Sequence, residues 1–442
     1  MGRKSQSQTL GIWINGVHAA DWRIPRRGDI EFQYTSGWVE ASDAAPLSLS
    51  LPFTLENAPI KGEKVASYFD NLLPDSDAIR QRIQSRYKTQ SRDAFDLLAA
   101  LGRECVGAIQ LLPEGTEPTN VHRIDVEKLS NAEVERALIQ VTAPPPPGGV
   151  AEEDFRISIA GAQEKSAFLL HQGKWCRPIG ATPTSHIFKL PLGLVGGVQA
   201  DMSESVENEW LCARILAAFG IPIAKCEIGK FGSQKVLVVE RFDRKLHASG
   251  KFWLRLVQED FCQALALPRT MKYESDGGPG IKEMGDLLRN SAHRDRDLDT
   301  FFRAQLIFWL LAAGDGHAKN FSLRLLPDTR FHLTPLYDVL SYWPIIGNAP
   351  GKIQRPKVRM AMALRGKTKH YVMDEIQRRH FNTTGKLIGI GQTAEPIIED
   401  ILDRTPKVAE AVQKGLPSDF PQAILESTLA GMTEQSKRLR DM

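Results

Sequence analysis

Apolar and polar residues alternate through GIWINGVHAADW and DIEFQYTSGWV, which predicts a small sheet at the start of the chain. The pattern then becomes helical around DSDAIRQRIQSRY and DAFDLLAALG. TAPPPPGGVAEE combines four consecutive prolines, two glycines and acidic residues, and predicts an extended linker over 142–153. Strand-like patterning dominates from there to about residue 258, and helical patterning dominates to the end. DFRISIAGAQEKSAFLL reads as a strand, a tight turn at Gly161 and a second strand, and SHIFKLP is a short apolar run with one cation, Lys189. ESVENEWLCARILAAFG predicts a helix with Glu207 and Glu209 in its first turns, closed by Gly220 and Pro222. Phe302, Leu306, Trp309, Leu310 and Ala313 recur at helical spacing, predicting a buried amphipathic helix ended by Gly314. FSLRLL and RFHLTP, separated by Pro327, Asp328 and Thr329, predict a hairpin that runs into Tyr337 and Asp338. The expected organisation is a small α+β N-terminal domain over 1–141, the linker, a sheet-rich lobe over 154–258 and a mostly helical lobe over 259–442.

Chemistry enters with GDGHAKN, which places Asp315 five positions before Asn320. A phosphoryl-transfer loop uses this spacing, the acid taking the acceptor hydroxyl's proton and the amide holding magnesium. Asp and Asn beside glycines also make plain turns, because their side chains hydrogen-bond local backbone. The order of helix, acidic loop, hairpin and second acid is that of a protein-kinase C-lobe, which makes Asp338 the candidate partner of Asn320 on Mg2+. A helix N-cap before VLSYW is the other reading of Asp338. Gly161 would let backbone N–H groups approach phosphate oxygens, although the string is neither GxGxxG nor a Walker A motif. Lys189 could bridge nucleotide phosphates and pair with a helix glutamate, or simply guard a strand edge.

The blocks PLSLSLP (46–52), YFDNLLPD (68–75), GRECVGAIQLLP (102–113), DFRISIAGAQEK (154–165), TPTSHIFKLP (182–191), VERFDR (239–244), YESDGGPG (273–280), GDGHAKNFS (314–322) and LTPLYDVLS (333–341) stand in order along nearly the whole chain. In these the sequence resembles the HipA toxin kinases of bacterial toxin–antitoxin modules. The resemblance implies a bilobal, protein-kinase-like α+β fold and an ATP- and Mg2+-dependent serine/threonine kinase. It makes Asp315 the catalytic base, Asn320 and Asp338 the metal ligands, and Lys189 the phosphate-contacting lysine. Ala160, Gly161, Ala162, Gln163, Glu164 and Lys165 match the phosphate-binding loop. Glu240 and Phe242 match the connection that holds adenine, His317 and Tyr337 line the same site, and Gln258, Glu259 and Asp260 match a block near the nucleotide. Ser158 matches an autophosphorylated serine, where about −1.5 to −2 added charges beside the ATP phosphates would shut the enzyme off. Also implied are a HipB-like helix-turn-helix antitoxin that recruits the kinase to operator DNA as a co-repressor, an aminoacyl-tRNA synthetase target, above all the glutamyl enzyme, and growth arrest with drug-tolerant persistence.

Composition narrows the alternatives. The chain has 442 residues, 42% of them hydrophobic, enough to bury a large core in two or three domains. With 56 basic against 53 acidic residues its net charge is +3, which excludes a strong nucleic-acid footprint over the whole molecule. Arg378, Arg379, Lys437, Arg438 and Arg440 could touch DNA phosphates, but such runs are usually solvated faces. Cys105, Cys176, Cys212, Cys226 and Cys262 lack metal-ligand spacing and read as reduced residues of a cytoplasmic protein. Arg3 and Lys4 precede no apolar stretch, Gln6 breaks the myristoylation pattern, and no apolar run approaches the ~18 residues of a membrane span. Two rivals stay open. GDGHAKN also resembles the loop of phosphoinositide kinases, which admits a lipid or small-molecule kinase, and a kinase-shaped co-repressor without turnover is the other.

Overall fold

The early alternation closes into a five-stranded antiparallel sheet in the order Ile60–Lys61, Glu31–Tyr34, Val17–Ile24, Gln8–Ile14, Ile109–Pro113. Asn15 and Gly16, both at positive φ, make the two-residue turn between its first two strands, the geometry that matches strand twist. One face packs on the helices Glu63–Asp70 and Ala94–Leu101, where Trp22 stacks on Phe69 with centroids 3.9 Å apart and meets Phe95 edge-on. The computed structural model describes residues 7–142, 161 and 163–442.

A second, six-stranded sheet runs Cys226–Phe231, Gln234–Glu240, His186–Lys189, Lys165–His171, Lys174–Pro178, Val126–Lys128. Its outer strand and the helix Asn131–Thr142 precede the prolines, yet both belong here: Leu129, Val134 and Leu138 share a core with Phe168, Phe188 and Val238. The two sheets therefore part before residue 126 and not at the expected 142–153. A three-residue strand is too short to register as a period, whereas four prolines are conspicuous. The helix Ser205–Ala218 packs on this sheet and closes as expected, with Gly220 at φ 79.

The helical lobe is built around Arg294–Leu310, whose Phe301, Phe302, Leu306, Ile307, Trp309 and Leu310 are fully buried. Two expectations change here. Its C-terminal half is buried on every side rather than amphipathic, because the helices Arg378–Ile388, Glu395–Lys414 and Gln422–Arg440 pack against it. It also stops before Gly314: Ala312 takes φ 49, and the Ala313 N–H returns to the Phe308 carbonyl at 2.8 Å. The expected hairpin is present as Ser322–Leu325 and Phe331–Leu333, joined by Gln258–Asp260 in a three-stranded sheet. Arg378, Arg438 and Arg440 pair with Glu395, Asp374 and Asp403 of the chain itself.

A buried ion cluster ties the first unit to the strand leaving the second sheet. Glu104 accepts from Arg241 at 2.9 Å, Arg244 at 3.1 Å and Arg255, while Arg241 also binds Asp243 at 2.8 Å. Arg241 and Asp243 flank Phe242, so the cluster fixes the stretch that borders the cleft between lobes.

Candidate active site

Lys189 ends its strand pointing inward, with 6% of its side chain exposed. Its ammonium donates to Glu209 at 2.5 Å, from the second turn of the helix Ser205–Ala218, and to Asp338 at 2.8 Å. Burial opposes a charge on Lys189, but the two carboxylates overcome it and hold the group above the usual lysine range. Burial alone would raise Asp338, yet Lys189 and Lys165 hold it well below the usual carboxylate range; Lys165 stands 4.0 Å away. Asp338 has φ 63, a left-handed conformation that Asp tolerates and that commonly marks functional residues. It caps no regular helix.

The loop 314–320 lies against the core helix. A Cβ on Gly314 would stand 2.5 Å from the Arg359 carbonyl oxygen, and one on Gly316 would stand 2.7 Å from the Phe308 ring, so close approach explains both glycines around Asp315. Tyr273 donates its hydroxyl to Asp315. Burial pushes Asp315 up to about 6, with the Tyr273 hydrogen bond and Lys272 pulling the other way. His317 packs edge-on against Tyr273 at 4.9 Å, and burial, reinforced by Lys272, pushes it down to about 3. Asn320 donates from Nδ2 to the Asp338 carbonyl at 3.0 Å, and its buried Oδ1 has no hydrogen-bond partner.

Phe242 and Tyr337 place ring centroids 5.7 Å apart, and Ile187, Val239, Leu340 and Glu240 line the same cleft. The Tyr337 hydroxyl is fixed by Ser322 at 2.5 Å and by the Lys319 carbonyl at 2.9 Å. Flat apolar walls at one end and a cationic, oxygen-rich end opposite suit a purine nucleotide with its phosphates.

The cleft thus gathers Asp315, His317, Asn320, Tyr337, Asp338, Lys189, Glu240, Phe242, Gly161, Gln163 and Lys165. Ser158, Ala160 and Ala162 lie outside the described residues. Glu164 faces away and pairs with Arg82. Alternation in the strand Gln258–Asp260 splits that block: Gln258 and Asp260 face the cleft, while Glu259 binds Ser48 and the Leu49 N–H of the first unit. Sequence reasoning assigned no role to Asn71, Asp75, Lys272, Tyr273 or Lys319, all of which touch the site; each stands in a quoted block except Lys272, which directly precedes YESDGGPG.

Asn320 Oδ1 and the Asp338 carboxylate are hard oxygen donors, and the orphaned amide oxygen fits a magnesium ligand. Mg2+ takes one or two protein oxygens and fills its octahedron with phosphate and water, so these two side chains are a sufficient donor set.

Residues 157–409 match the family described as the HipA-like C-terminal domain, and residues 10–112 match the HipA N-terminal domain. The chain is 33% identical over 414 residues to the protein Y4mE of Sinorhizobium fredii, covering 92% of each. It is 25% identical over 323 residues to the serine/threonine-protein kinase toxin HipA of Shewanella oneidensis, covering 70% of this chain and 69% of that one. HipA in the complex of Shewanella oneidensis HipA, HipB and operator DNA has the same fold, with a TM-score of 0.78 at 19% identity over 98% of both chains.

Proposed function

The chain belongs to the HipA family and is a kinase, and from that premise we propose that it transfers the γ-phosphoryl group of ATP to a serine or threonine hydroxyl of a protein, as the toxin of a toxin–antitoxin module. The observation that carries this is the meeting of Lys189, Glu209 and Asp338 in the cleft that also holds Asp315 and Asn320. Phe242 and Tyr337 receive the base. Lys189 meets the phosphates as a buried point charge, held in place by Glu209. Asp315 orients the acceptor hydroxyl and takes its proton as the oxygen bonds to the γ-phosphorus and the bridge to ADP breaks. Asn320 and Asp338 would hold Mg2+, which when bound offsets charge on the phosphates.

The finer reading is that Ser158 is autophosphorylated, that the target in the cytoplasm is an aminoacyl-tRNA synthetase, in first place the glutamyl enzyme, and that a HipB-like antitoxin carries the kinase to operator DNA as a co-repressor. It is supported by the ordered blocks of sequence and by the Shewanella oneidensis HipA, whose complex contains HipB and operator DNA. Among the described residues no helix is long and apolar enough to cross a membrane.

Incubation with radiolabelled ATP and magnesium tests the activity. Labelling should appear on Ser158 and fall at least ~10²-fold in Asp315→Ala; unchanged labelling in that variant rejects the assigned base. Phosphoproteomics after induced expression, read against the Asp315→Ala chain, identifies the target.

A further inference from the structure

The block YFDNLLPD reaches the cleft, and nothing in the kinase reading uses it. Past the helix Glu63–Asp70 the chain brings in Asp75, with 11% of its side chain exposed. Its Oδ1 lies 2.9 Å from the ammonium of Lys319 and its Oδ2 lies 2.9 Å from that of Lys272. Lys319, 4% exposed, also donates to Asn71 Oδ1 at 3.0 Å and to the Asn71 carbonyl at 3.3 Å, so a catalytic-loop lysine is held by the N-terminal unit.

Both lysines belong to the machinery around Asp315. Lys319 directly precedes Asn320 in the turn Ala318–Asn320, and the Ala318 N–H donates to the Lys272 carbonyl at 3.2 Å. The metal-binding end of the loop is therefore fastened through a side chain and through the backbone to two residues whose charges meet on one carboxylate. The segment that carries Asp75 also grips the phosphate loop: Pro74 bridges to Gly161, and the Asp75 N–H donates to the Gly161 carbonyl at 3.0 Å. An ion pair that only stabilised the domain contact would have no reason to join the two loops between which a triphosphate must lie.

We infer that Asp75 is a positioning residue for phosphoryl transfer, coupling the phosphate-binding loop to the metal-binding end of the catalytic loop and making the N-terminal unit part of the catalytic apparatus. The inference rests on the kinase reading above. A side chain that orients metal ligands from behind typically changes metal affinity or activity about 10- to 100-fold when removed.

The test uses the full chain and two readouts: kcat with ATP and magnesium, and calorimetric ADP affinity with Mn2+ or with EDTA. Asp75→Asn should lower kcat about 10- to 100-fold and shrink the gain in ADP affinity that Mn2+ confers, leaving affinity in EDTA within about 2-fold. Because Asp75→Asn leaves the buried Lys319 and the partly buried Lys272 without their carboxylate, Asp75→Asn with Lys319→Met is measured beside it. The inference expects the double variant to regain melting temperature but not kcat or the Mn2+ effect; recovery of all three would overturn it. So would wild-type kcat and Mn2+ dependence in Asp75→Asn. A wild-type chain that transfers no phosphate would strike the kinase reading itself, and the Mn2+ dependence of ADP binding would still decide the role of Asp75.

Discussion

Lys189 and Asp338 are 149 residues apart in sequence and 2.8 Å apart in the fold. One ends an inner strand of the six-stranded sheet, the other follows the hairpin of the helical lobe, and their contact bridges the two lobes across the cleft. Glu209, 7% exposed, completes the arrangement by accepting from the same ammonium. Lys189→Met removes the cation and leaves the buried Glu209 carboxylate beside Asp338 with no ammonium between them. Phosphoryl transfer should fall by at least ~10²-fold, and stability at neutral pH should fall by about 3–5 kcal/mol because a buried charge loses its partner. In that variant the folded Glu209 carboxylate binds protons more readily than the unfolded one, so the deficit should narrow as pH falls. Urea unfolding at two pH values, beside a labelling assay, checks both effects.

As the proposed base, Asp315 acts only when deprotonated, and in the free protein burial places it at about 6. The acid limb of kcat/KM should therefore bend near pH 6, with activity rising as pH rises through it. Tyr273, Lys272, Asp338 and Asp75 set that value, and the Tyr273 hydrogen bond favours the charged form. Tyr273→Phe should move the bend to higher pH. His317, pushed down to about 3, is neutral across this range, so His317→Gln should leave the bend where it is. A pH–rate profile of the three proteins decides the matter.

Glu104 answers three arginines from a buried position. Burial alone would raise it, but Arg255, Arg244 and Arg241 bring it down to about 2. Its folded value is lower than its unfolded one, so its contribution is complete above the ordinary carboxylate range and is lost as pH falls towards 2. Glu104→Gln leaves Arg241 and Arg244 to Asp243, takes from Arg255 its carboxylate partner, and should cost about 3–5 kcal/mol at pH 7. The gap between wild type and variant should shrink in denaturant titrations at pH 3.

The residues that meet in the cleft were legible because they sit in short local strings: the spacing from Asp315 to Asn320, the hairpin before Asp338, and the Gly220 stop behind Glu209 are all events within a few residues. What escaped depends on distance or on packing. The arrest of the core helix before Ala312 is imposed by tertiary contacts, since Ala has no local preference for positive φ. The strand Val126–Lys128 is recognisable only by its partner, Lys174–Pro178. Glu259 could have been separated from Gln258 and Asp260 by applying strand alternation to that block. Asp75 gives no local sign of its role, because the two lysines that define it arrive from about residues 272 and 319, far along the chain.

Gly314 supplies the most local test of how the loop is held. Its φ is not in the left-handed region, so an alanine meets no backbone penalty; the obstacle is space. The new Cβ would lie 2.5 Å from the Arg359 carbonyl oxygen and 2.6 Å from the Tyr342 ring, the first on the strand Arg359–Arg365 and the second on a residue whose N–H binds the Ala312 carbonyl at 3.2 Å. Neither neighbour is the loose end of a flexible chain, so the loop itself must move and carry Asp315 with it. Gly314→Ala should cost about 1–3 kcal/mol from overpacking and, through a shift approaching an ångström at the base, about 10²-fold in kcat. Gly37→Ala, where a Cβ meets nothing within 4 Å, is the matched control, and its stability should stay within about 0.5 kcal/mol of wild type. Parallel melting and turnover measurements on the two variants separate a displaced catalytic loop from a general sensitivity of the fold to alanine.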